Sequence, residues 1–233
     1  MLKVIVIPTY NERDNIKKII SEVFGLGIDD LKILVVDDNS PDGTGDLIED
    51  LKKNNPRIET IHRSQKMGLG PAYVAGFKKA LAMGADYIFE MDADFSHQPK
   101  YLLDFVRCLG SADLIIGSRY IAHGGIENWN WIRRAVSYFG NFYARVILNM
   151  PTRDLTGGFK CYSRKVLESV DLDGLSSSGY VFQIETTYRV YQKGFTIKEI
   201  PIIFSERRIG KSKFNIHIIW ESFFKVLWLR LKK

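Results

Sequence analysis

Cysteine is scarce in this chain, which has only two in 233 residues. Cys108 and Cys161 lie far apart in the sequence and match no spacing typical of metal ligands. A disulfide framework and a cysteine-based zinc site are therefore not expected, and we predict two reduced thiols, as in a cytosolic protein. A chain of this length buries enough apolar surface to be stable without such cross-links.

Long apolar runs are also missing. The sequence has no run of about 18 apolar residues, so we expect no segment to span a membrane by itself. The first apolar stretch ends at Pro8 and is too short for the apolar region of a signal peptide, so we interpret it as a buried strand. The sequence shows no internal repeat, linker or low-complexity tract, which favours one large domain or one domain with an appendage.

Two common phosphate-binding signatures are absent. Gly68-Leu69-Gly70-Pro71-Ala72 precedes a predicted helix, but it is not the Gly-x-Gly-x-x-Gly pattern that follows the first strand of a dinucleotide fold. A Walker A loop is not found either. The glycine segment is therefore either a plain turn or a phosphate contact at the start of a helix.

Positive charge is in excess. Lys and Arg number 33 against 27 Asp and Glu, which gives a net charge of +6. This excess favours anionic partners, namely nucleic acid, phosphorylated substrates or an anionic membrane surface. Net charge alone does not choose among these three.

Short apolar runs recur along the first half of the chain, and amphipathic stretches separate most of them. This alternation predicts an α/β fold with a mostly parallel sheet covered by helices on both faces. In the second half we predict a helix at about 132–149, strand-like segments at 196–201 and 202–204, and a last helix at 216–231. The five apolar runs of the first half are at 4–7, 33–36, 58–61, 87–91 and 114–116.

Polar segments follow four of these strands, where ligands of open α/β sheets bind. Asp92-Ala93-Asp94 follows the fourth strand, and strand alternation would point both carboxylates the same way. Two such carboxylates can hold Mg²⁺ or Mn²⁺ together with diphosphate oxygens. The alternative is a solvated acidic loop. A second Asp-x-Asp at Asp171 and Asp173 lacks the position at a strand end.

Asp37 and Asp38 end the second strand. A carboxylate there can accept hydrogen bonds from the N–H groups of a nucleobase. The residues that follow are typical of a turn and a helix cap. Both interpretations can hold together, with Asp42 or Thr44 capping the helix and Asp38 binding the base.

Basic residues form a set that the predicted fold would bring to the same edge of the sheet. Among them, Arg134, Arg208 and Lys211 are better interpreted as solvated surface charges. The last helix places large apolar residues on one broad face, which suits a membrane interface, an ordinary core helix or a subunit contact. The basic set consists of Arg119, Arg133, Arg134, Arg207, Arg208, Lys211 and Lys213.

Seven motifs, in this order, resemble those of family 2 glycosyltransferases, and more narrowly those of polyprenyl-phosphate and dolichyl-phosphate mannose synthases. The resemblance covers nearly the whole chain, and the motifs are specific jointly rather than singly. They are Pro8-Thr9-Tyr10-Asn11-Glu12, the segment 37–44, Met91-Asp92-Ala93-Asp94, Gly117-Ser118-Arg119-Tyr120, the segment 154–159, Val181-Phe182-Gln183 and Gly210-Lys211-Ser212-Lys213.

The resemblance implies a GT-A fold and an inverting transfer of mannose from GDP-mannose to polyprenyl or dolichyl phosphate, giving a β-linked product, with Mg²⁺ or Mn²⁺ as cofactor. It also implies roles for residues that match the motifs. Guanosine would be held by Pro8, Tyr10, Glu12, Val36 and Asp38. The diphosphate and metal would be held by Asp92, Ala93 and Asp94. The donor phosphates or the reacting phosphate would be contacted by Arg119, Arg207 and Lys213, and the acceptor phosphate would be faced by Arg133 and Ser137. The catalytic set would be Asp94, Arg119, Arg133 and Ser137.

The resemblance further implies one GT-A domain at 1–215, with a nucleotide-binding half at 1–125 and an acceptor half at 126–215, and an amphipathic helix at 216–233. The protein would lie on the cytoplasmic face of the membrane as a peripheral protein, with a small membrane subunit as a further partner and without nucleic acid. Ser96 stands where some relatives have Gln, which leaves its place in the metal site open. Other interpretations are transfer of another sugar, transfer to a saccharide hydroxyl, or a non-catalytic nucleotide-binding membrane scaffold.

Overall fold

The protein, as a computed structural model, is described for residues 1–175, 177, 179–206 and 216–231, with side chains from residue 223 onward in the last range. Strands and helices alternate through most of the chain, as predicted. The elements are β1 (Lys3–Thr9), α1 (Arg13–Gly25), β2 (Leu31–Asp37), α2 (Thr44–Asn54), β3 (Ile58–His62), α3 (Leu69–Ala82), β4 (Tyr87–Glu90), a 3₁₀ turn (Pro99–Tyr101), α4 (Leu102–Arg107), β5 (Leu114–Ser118), β6 (Gly125–Ile126), α5 (Trp131–Leu148), β7 (Lys160–Ser163), α6 (Arg164–Ser169), α7 (Gly179–Gln192), β8 (Ile197–Pro201), β9 (Ile203–Phe204) and α8 (Ile216–Leu231).

The central sheet has seven strands in the order β3-β2-β1-β4-β7-β5-β8. All its pairings are parallel except those of β7, which runs antiparallel to both of its neighbours. Pro8 is opposite Val36 and Thr9 is opposite Asp37, so β1 and β2 end at the same edge. The α/β sheet predicted from the apolar runs is confirmed, and the polar segments after β1, β2 and β4 meet at one edge.

Alternate residues of β1 enter two different cores. Ile5 and Ile7 pack into the cluster that includes α1, whereas Val4 and Val6 pack into the cluster that includes α3. This is the pattern of a strand buried on both faces. Helix α3 approaches the sheet closely at Gly76, where a Cβ atom would lie 2.3 Å from Val6 Cγ1.

A third apolar cluster joins α5, α7 and α8. Ala144 and Leu148 of α5 pack there with Ile184 of α7 and with Val226 and Leu229 of α8. The predicted last helix is confirmed, and it contributes to the core through these two residues. The predicted helix at 132–149 is also confirmed.

The second half of the chain adds elements that the sequence did not predict. Strand β7 and helix α6 were missed, and β9 leaves the main sheet to pair with β6. Strands β7 and β8 lie in the same sheet as β1 to β5, so the expected division at residue 125 separates two parts of one sheet. Within the ranges given above, none of the helices combines the length and apolarity that crossing a bilayer needs.

Candidate functional site

A cavity of about 510 Å³ opens at the carboxyl edge of the sheet. Its walls come from the loops after β1, β2 and β4, the first turns of α3 and α5, the loop before β7, and the start of α7. Its volume is in the usual range for a small-molecule site. Nine of the predicted site residues line it: Pro8, Tyr10, Glu12, Asp38, Asp92, Ala93, Asp94, Arg119 and Arg133.

Four predicted site residues are not among the lining residues. Val36 is fully buried, with its side chain close to Gly76 of α3, so that side chain cannot reach a nucleoside in the cavity. The Ser137 hydroxyl accepts a hydrogen bond from Tyr120 at 2.7 Å, one turn beyond Arg133 in α5. Arg207 and Lys213 fall outside the described residues.

Asp92 and Asp94 lie after the last residue of β4. The interpretation that strand alternation aligns them is wrong, because β4 ends at Glu90 and the chain then bends, with Phe95 at a φ of 65°. Both carboxylates nevertheless line the cavity. Asp94 is buried and accepts a hydrogen bond from the backbone N–H of Ser96 at 3.0 Å.

The residues around this bend suit a divalent cation that is completed by substrate. Across the described ranges, no group of three or more His, Cys, Asp or Glu side chains could hold a metal alone. The Ser96 hydroxyl is buried without a hydrogen-bond partner among the described residues and lines the same cavity. Two carboxylates and one hydroxyl match the preference of Mg²⁺ for few protein oxygens plus phosphate oxygens.

His97 packs against this bend and hydrogen-bonds to it. Its Nδ1 accepts the backbone N–H of Asp92 at 3.0 Å, and its ring stacks on Phe159 with centroids 4.9 Å apart. Burial lowers the pKa of His97, although the charges of Asp92 and Asp94 act in the opposite direction. The imidazole is therefore neutral at pH 7, with its proton on Nε2.

Asp38 and the loop after β3 form the end of the cavity next to β1. The Asp38 carboxylate accepts hydrogen bonds from Arg63 at 2.7 Å and from the backbone N–H groups of Met67 and Gly68 at 3.1 Å. It thereby fixes the loop that leads into α3. The Lys66 ammonium lies 3.6 Å from the centre of the Tyr10 ring.

The predicted turn chemistry after β2 is also present. The backbone N–H and hydroxyl of Thr44 donate to Asp42, at 3.0 and 2.6 Å. The Thr44 hydroxyl in turn accepts the backbone N–H of Glu12 at 3.1 Å. Asp42 and Thr44 therefore tie the start of α2 to the loop after β1.

Arg119 is held in the opposite part of the cavity by a buried carboxylate. Its Nε and Nη2 each lie 2.7 Å from an Asp154 oxygen, and Nη2 also donates to Thr156 at 2.7 Å. Burial alone would raise the pKa of Asp154, but the charge and hydrogen bonds of Arg119 outweigh it and lower that pKa. Nη1 is the one guanidinium nitrogen with no hydrogen bond to the described residues.

Arg133 reaches the cavity from the first turn of α5. Its guanidinium lies 3.8 Å from the centre of the Trp129 ring, and Nη1 is 3.2 Å from Glu206. The side chain of Asn130 caps the helix by accepting the Arg133 backbone N–H at 2.8 Å. The arginine is thus positioned by stacking, with a partly exposed ion pair at the rim.

A buried polar network lies behind the cavity. Lys160 donates to the carbonyl and to Oε1 of Gln183, at 2.8 and 2.6 Å, and Tyr162 donates to Glu90 at 2.9 Å. Burial raises the pKa of Glu90 to about 7, although Lys160, Gln183 and Tyr162 each act to lower it. Burial lowers the pKa of Lys160 to about 8 against the attraction of Glu90. Glu185, two residues beyond Gln183, is fully buried and hydrogen-bonds with Ser177 and Arg189.

Several lining residues were not predicted. Gln183 belongs to a motif that the sequence analysis noted without a role, and His97 directly follows the metal motif, so their positions carried some signal. Lys66 and Trp129 lie in loops whose place depends on distant contacts. The lining residues without a predicted site role include Lys66, His97, Trp129, Thr156, Gly158, Tyr180, Gln183 and Phe204.

The chain is similar to known proteins over most of its length. The family described as Glycosyl transferase family 2 matches residues 4–171, which is more than half of the chain. A polyprenol monophosphomannose synthase from Mycolicibacterium smegmatis is 45% identical over 224 residues, covering 95% of this chain and 84% of the relative. An undecaprenyl-phosphate mannosyltransferase from Micrococcus luteus is 40% identical over 217 residues, covering 93% and 89%.

Solved structures show the same fold. Glucosyl-3-phosphoglycerate synthase from Mycobacterium tuberculosis, in complex with Mn²⁺, UDP-glucose and phosphoglyceric acid, superposes with a TM-score of 0.69 at 17% identity over 99% of this chain and 80% of that chain. The mannosyltransferase PcManGT from Pyrobaculum calidifontis, in complex with GDP-Man and Mn²⁺, gives 0.64 at 15% identity over 99% and 63%. The fold is therefore of the GT-A type, as expected.

Proposed function

The chain belongs to glycosyl transferase family 2, and we propose that it transfers mannose from GDP-mannose to the phosphate of a polyprenyl or dolichyl phosphate, with inversion. Two relatives at 40–45% identity carry names of this activity. The structural observation that carries the proposal is one cavity that combines two carboxylates, Asp92 and Asp94, with two arginines, Arg119 and Arg133.

The donor occupies the half of the cavity next to β1 and β2. Pro8, Tyr10, Glu12 and Asp38 line this half and hold the guanosine. Because Arg63 and two backbone N–H groups already bind Asp38, its carboxylate also keeps the loop at 63–68 in place beside the nucleoside.

Asp92 and Asp94 hold Mg²⁺ or Mn²⁺ together with the donor diphosphate, and Ser96 adds a hydroxyl on the same side. The cation supplies positive charge where the leaving nucleoside diphosphate becomes more negative. Both solved structures named above were obtained with Mn²⁺, which supports the use of a divalent cation. The buried hydroxyl of Ser96 supports the fit in this chain.

Arg119 and Arg133 bind the acceptor phosphate. Arg119 is fixed by Asp154 through Nε and Nη2, which leaves Nη1 to contact a phosphate oxygen. Arg133 lies at the cavity rim, at the start of α5. Two fixed cations screen the repulsion between an anionic acceptor and an anionic donor and align the attack. Ser137, Arg207 and Lys213 remain predicted contacts to these phosphates.

A phosphate acceptor also fits the carboxylates of the described cavity lining, because all of them have other proposed roles. A phosphate monoester carries about −1.5 to −2 charge at pH 7 and is itself the nucleophile, whereas a sugar hydroxyl needs a base. Among the described lining residues, the carboxylates are those of Glu12, Asp38, Asp92 and Asp94, which the nucleoside and the metal use. The wall from α7 presents the amide of Gln183 instead. Phosphate is therefore favoured over a saccharide hydroxyl.

Helix α5 carries the surface that we propose docks on the membrane. Trp131 is 77% exposed and Phe139 is 66% exposed, although both are large and apolar. The buried residues of the helix, such as Ala144 and Leu148, lie on its other side. We call this surface the α5 apolar face; it consists of Trp131, Ile132, Tyr138, Phe139, Phe142 and Val146.

Helix α8 adds exposed apolar residues beside this face. Phe223 stacks on Tyr143 of α5 with ring centroids 4.4 Å apart, and Phe224 and Leu231 are exposed. The prenyl tail of the acceptor cannot leave the bilayer without a cost of about 0.8 kcal/mol per CH₂, so the enzyme must come to the lipid. Because Arg133 stands in the first turn of α5, docking this face brings the cavity rim to the headgroups.

The proposed location is the cytoplasmic face of the membrane, as a peripheral protein. A small membrane subunit is the other partner proposed for the same surface. Binding of the purified chain to protein-free vesicles separates the two, because lipid alone suffices in the first case.

The experiment that tests the donor and the metal is calorimetry with GDP-mannose, UDP-glucose and dTDP-glucose, each with and without Mn²⁺. We expect tight binding of GDP-mannose with Mn²⁺ only. Preference for a UDP- or dTDP-sugar would contradict the donor, and metal-independent binding would contradict the role of Asp92 and Asp94. Absence of any binding would contradict the assignment of this cavity to a nucleotide-sugar.

A further inference from the structure

The carboxamide of Gln183 has a defined orientation. An ammonium group can only donate hydrogen bonds, and Lys160 Nζ lies 2.6 Å from one end of the carboxamide. That end must be the oxygen Oε1. The same ammonium donates to the Gln183 carbonyl at 2.8 Å, which fixes the side chain against its own helix. The amide nitrogen Nε2 therefore points away from Lys160.

Nε2 is buried and has no hydrogen-bond partner among the described residues. Hydrogen bonding by the Gln183 side chain acts to lower the pKa of the Glu90 carboxyl, whose Oε2 is likewise buried without a partner in full hydrogen-bond geometry among the same residues. An amide nitrogen has two hydrogens, so at least one would be left for a ligand even if Glu90 took the other. A buried donor without an acceptor is costly, and a bound substrate would remove this cost.

Gly158 lies directly against this amide at the wall of the cavity. A Cβ at Gly158 would lie 3.3 Å from Gln183 Nε2 and 3.5 Å from His97 Cε1. Gly158 and Gln183 both line the cavity, and Gly158 is not at a positive φ. Glycine is therefore favoured here by close packing rather than by backbone strain, since a side chain at residue 158 would press on the Gln183 amide and on His97.

Most of the charged lining groups already have proposed partners. The loops after β1 and β2 hold the nucleoside, Asp92 and Asp94 hold the metal, and two arginines hold phosphate. Gln183 offers an uncharged donor, which suits a hydroxyl, whereas phosphate is bound best by charged donors. What is left for Gln183 is the neutral part of the donor.

We propose that Gln183 and Gly158 form the subsite for the transferred sugar, in which Gln183 Nε2 donates a hydrogen bond to a hexose hydroxyl lying over Gly158. Lys160 is the positioning residue that keeps Nε2 turned toward the sugar. This inference rests on the proposed function, because it assumes that the cavity holds a nucleotide-sugar.

The test compares two ligands that differ only in the sugar: GDP and GDP-mannose, each titrated with Mn²⁺. Gln183→Ala should weaken GDP-mannose binding about 3- to 10-fold, the effect of one net hydrogen bond, and leave GDP binding within about 2-fold. Gln183→Glu keeps the shape but loses the donor, so it should behave in the same way. Gly158→Ala should also weaken GDP-mannose binding alone, because its Cβ would press on the Gln183 amide that donates to the sugar.

Thr186→Ala is the matched control. Thr186 is buried in the same helix, and its hydroxyl donates to the Phe182 carbonyl at 2.7 Å, away from the cavity lining. Both affinities should be unchanged. Lys160→Met should copy Gln183→Ala by releasing the carboxamide, and thermal unfolding of each variant shows whether the fold persists.

Three outcomes would overturn the subsite. They are equal losses for GDP and GDP-mannose in the Gln183 variants, unchanged GDP-mannose binding in Gln183→Ala and Gln183→Glu, or full binding by Gly158→Ala. If a folded Lys160→Met variant still bound GDP-mannose as tightly relative to GDP as the wild-type protein does, Lys160 would not be a positioning residue. If the wild-type protein instead prefers another nucleotide-sugar, the proposed donor fails, and the same variants compared with that sugar and its nucleotide decide the subsite separately.

Discussion

Arg119 and Asp154 form a two-pronged ion pair that is shielded from solvent, with both N–O distances at 2.7 Å. Asp154 is fully buried, and its Oδ2 also accepts the Arg119 backbone N–H at 3.0 Å. Such ion pairs have short, directional hydrogen bonds. Removing one partner is strongly destabilising because the other charge is then left buried and unpaired. The pair anchors the arginine that we place at the acceptor phosphate.

Removal of the carboxylate should therefore leave an uncompensated buried cation. We expect Asp154→Ala to lower the free energy of unfolding by about 3–5 kcal/mol, measured by denaturant titration. Asp104→Asn removes an exposed ion pair with Arg107 and should cost less than about 1 kcal/mol. Equal small effects in both variants would show that Asp154 does not stabilise Arg119.

The same pair predicts a pH dependence. Because the pKa of Asp154 is lowered from 3.8, its stabilisation is present above about pH 4 and is lost as pH falls further. The melting temperature of the wild-type protein should fall steeply as the pH is lowered from 7 to 3. Asp154→Asn should be less stable at pH 7, and its melting temperature should depend less steeply on pH. An unchanged pH dependence in this variant would mean that other carboxylates dominate acid unfolding.

Asp94 is predicted to act through the metal. Asp94→Asn should lower turnover about 100- to 1,000-fold, the usual effect of losing a group that stabilises transition-state charge, with the fold retained. Asp173→Asn is the control, because Asp173 belongs to the second Asp-x-Asp and pairs with Lys78 on the surface. Near-normal turnover of Asp94→Asn at saturating Mn²⁺ or Mg²⁺ would remove Asp94 from the metal site.

Substitutions at Arg133 and at its neighbour Arg134 distinguish a residue that binds the acceptor from one that only adds surface charge. Arg133 lines the cavity, whereas Arg134 bonds to the Ile126 carbonyl outside it. Arg133→Ala should raise the KM for polyprenyl phosphate with GDP-mannose binding unchanged, and Arg134→Ala should change neither. Loss of donor affinity in Arg133→Ala would place this arginine at the nucleotide.

The α5 apolar face predicts vesicle binding. Phe139→Asp should weaken binding to anionic vesicles about tenfold or more, since burial of a phenylalanine contributes about 1.5–3 kcal/mol. Ser21→Asp adds the same charge at an exposed position of α1 and should have little effect. Co-sedimentation measures both, and undiminished binding of Phe139→Asp would show that another surface docks.

Local sequence signals were sufficient for β1 to β5, since each contains a short β-branched or apolar run and amphipathic stretches separate most of these runs. Strand β7 was missed because it begins with Lys160, whose burial depends on Gln183 and on Glu90, far away in the sequence. Both carboxylates of the Asp92-Ala93-Asp94 motif line the cavity as predicted, but they lie beyond the end of β4, so strand alternation does not set their directions.

Arg119 was predicted at the site, whereas its dependence on Asp154 was not, because the partners are 35 residues apart. The last helix shows the same limit. Its apolar face was evident, but only the packed structure shows that Val226 and Leu229 are buried and that α5 carries an exposed apolar face as well. Motifs thus locate the chemistry, and long-range packing decides which atoms are available for it.

The central claim is tested most directly by the acceptor. The purified protein is incubated with radiolabelled GDP-mannose and Mn²⁺, and with either polyprenyl phosphate or the matching polyprenol in vesicles. Labelled lipid is then extracted and its anomeric linkage determined by NMR. We predict a β-linked mannosyl phosphate lipid from polyprenyl phosphate and no product from polyprenol. Comparable transfer to polyprenol, or an α-linked product, would contradict the proposed mechanism.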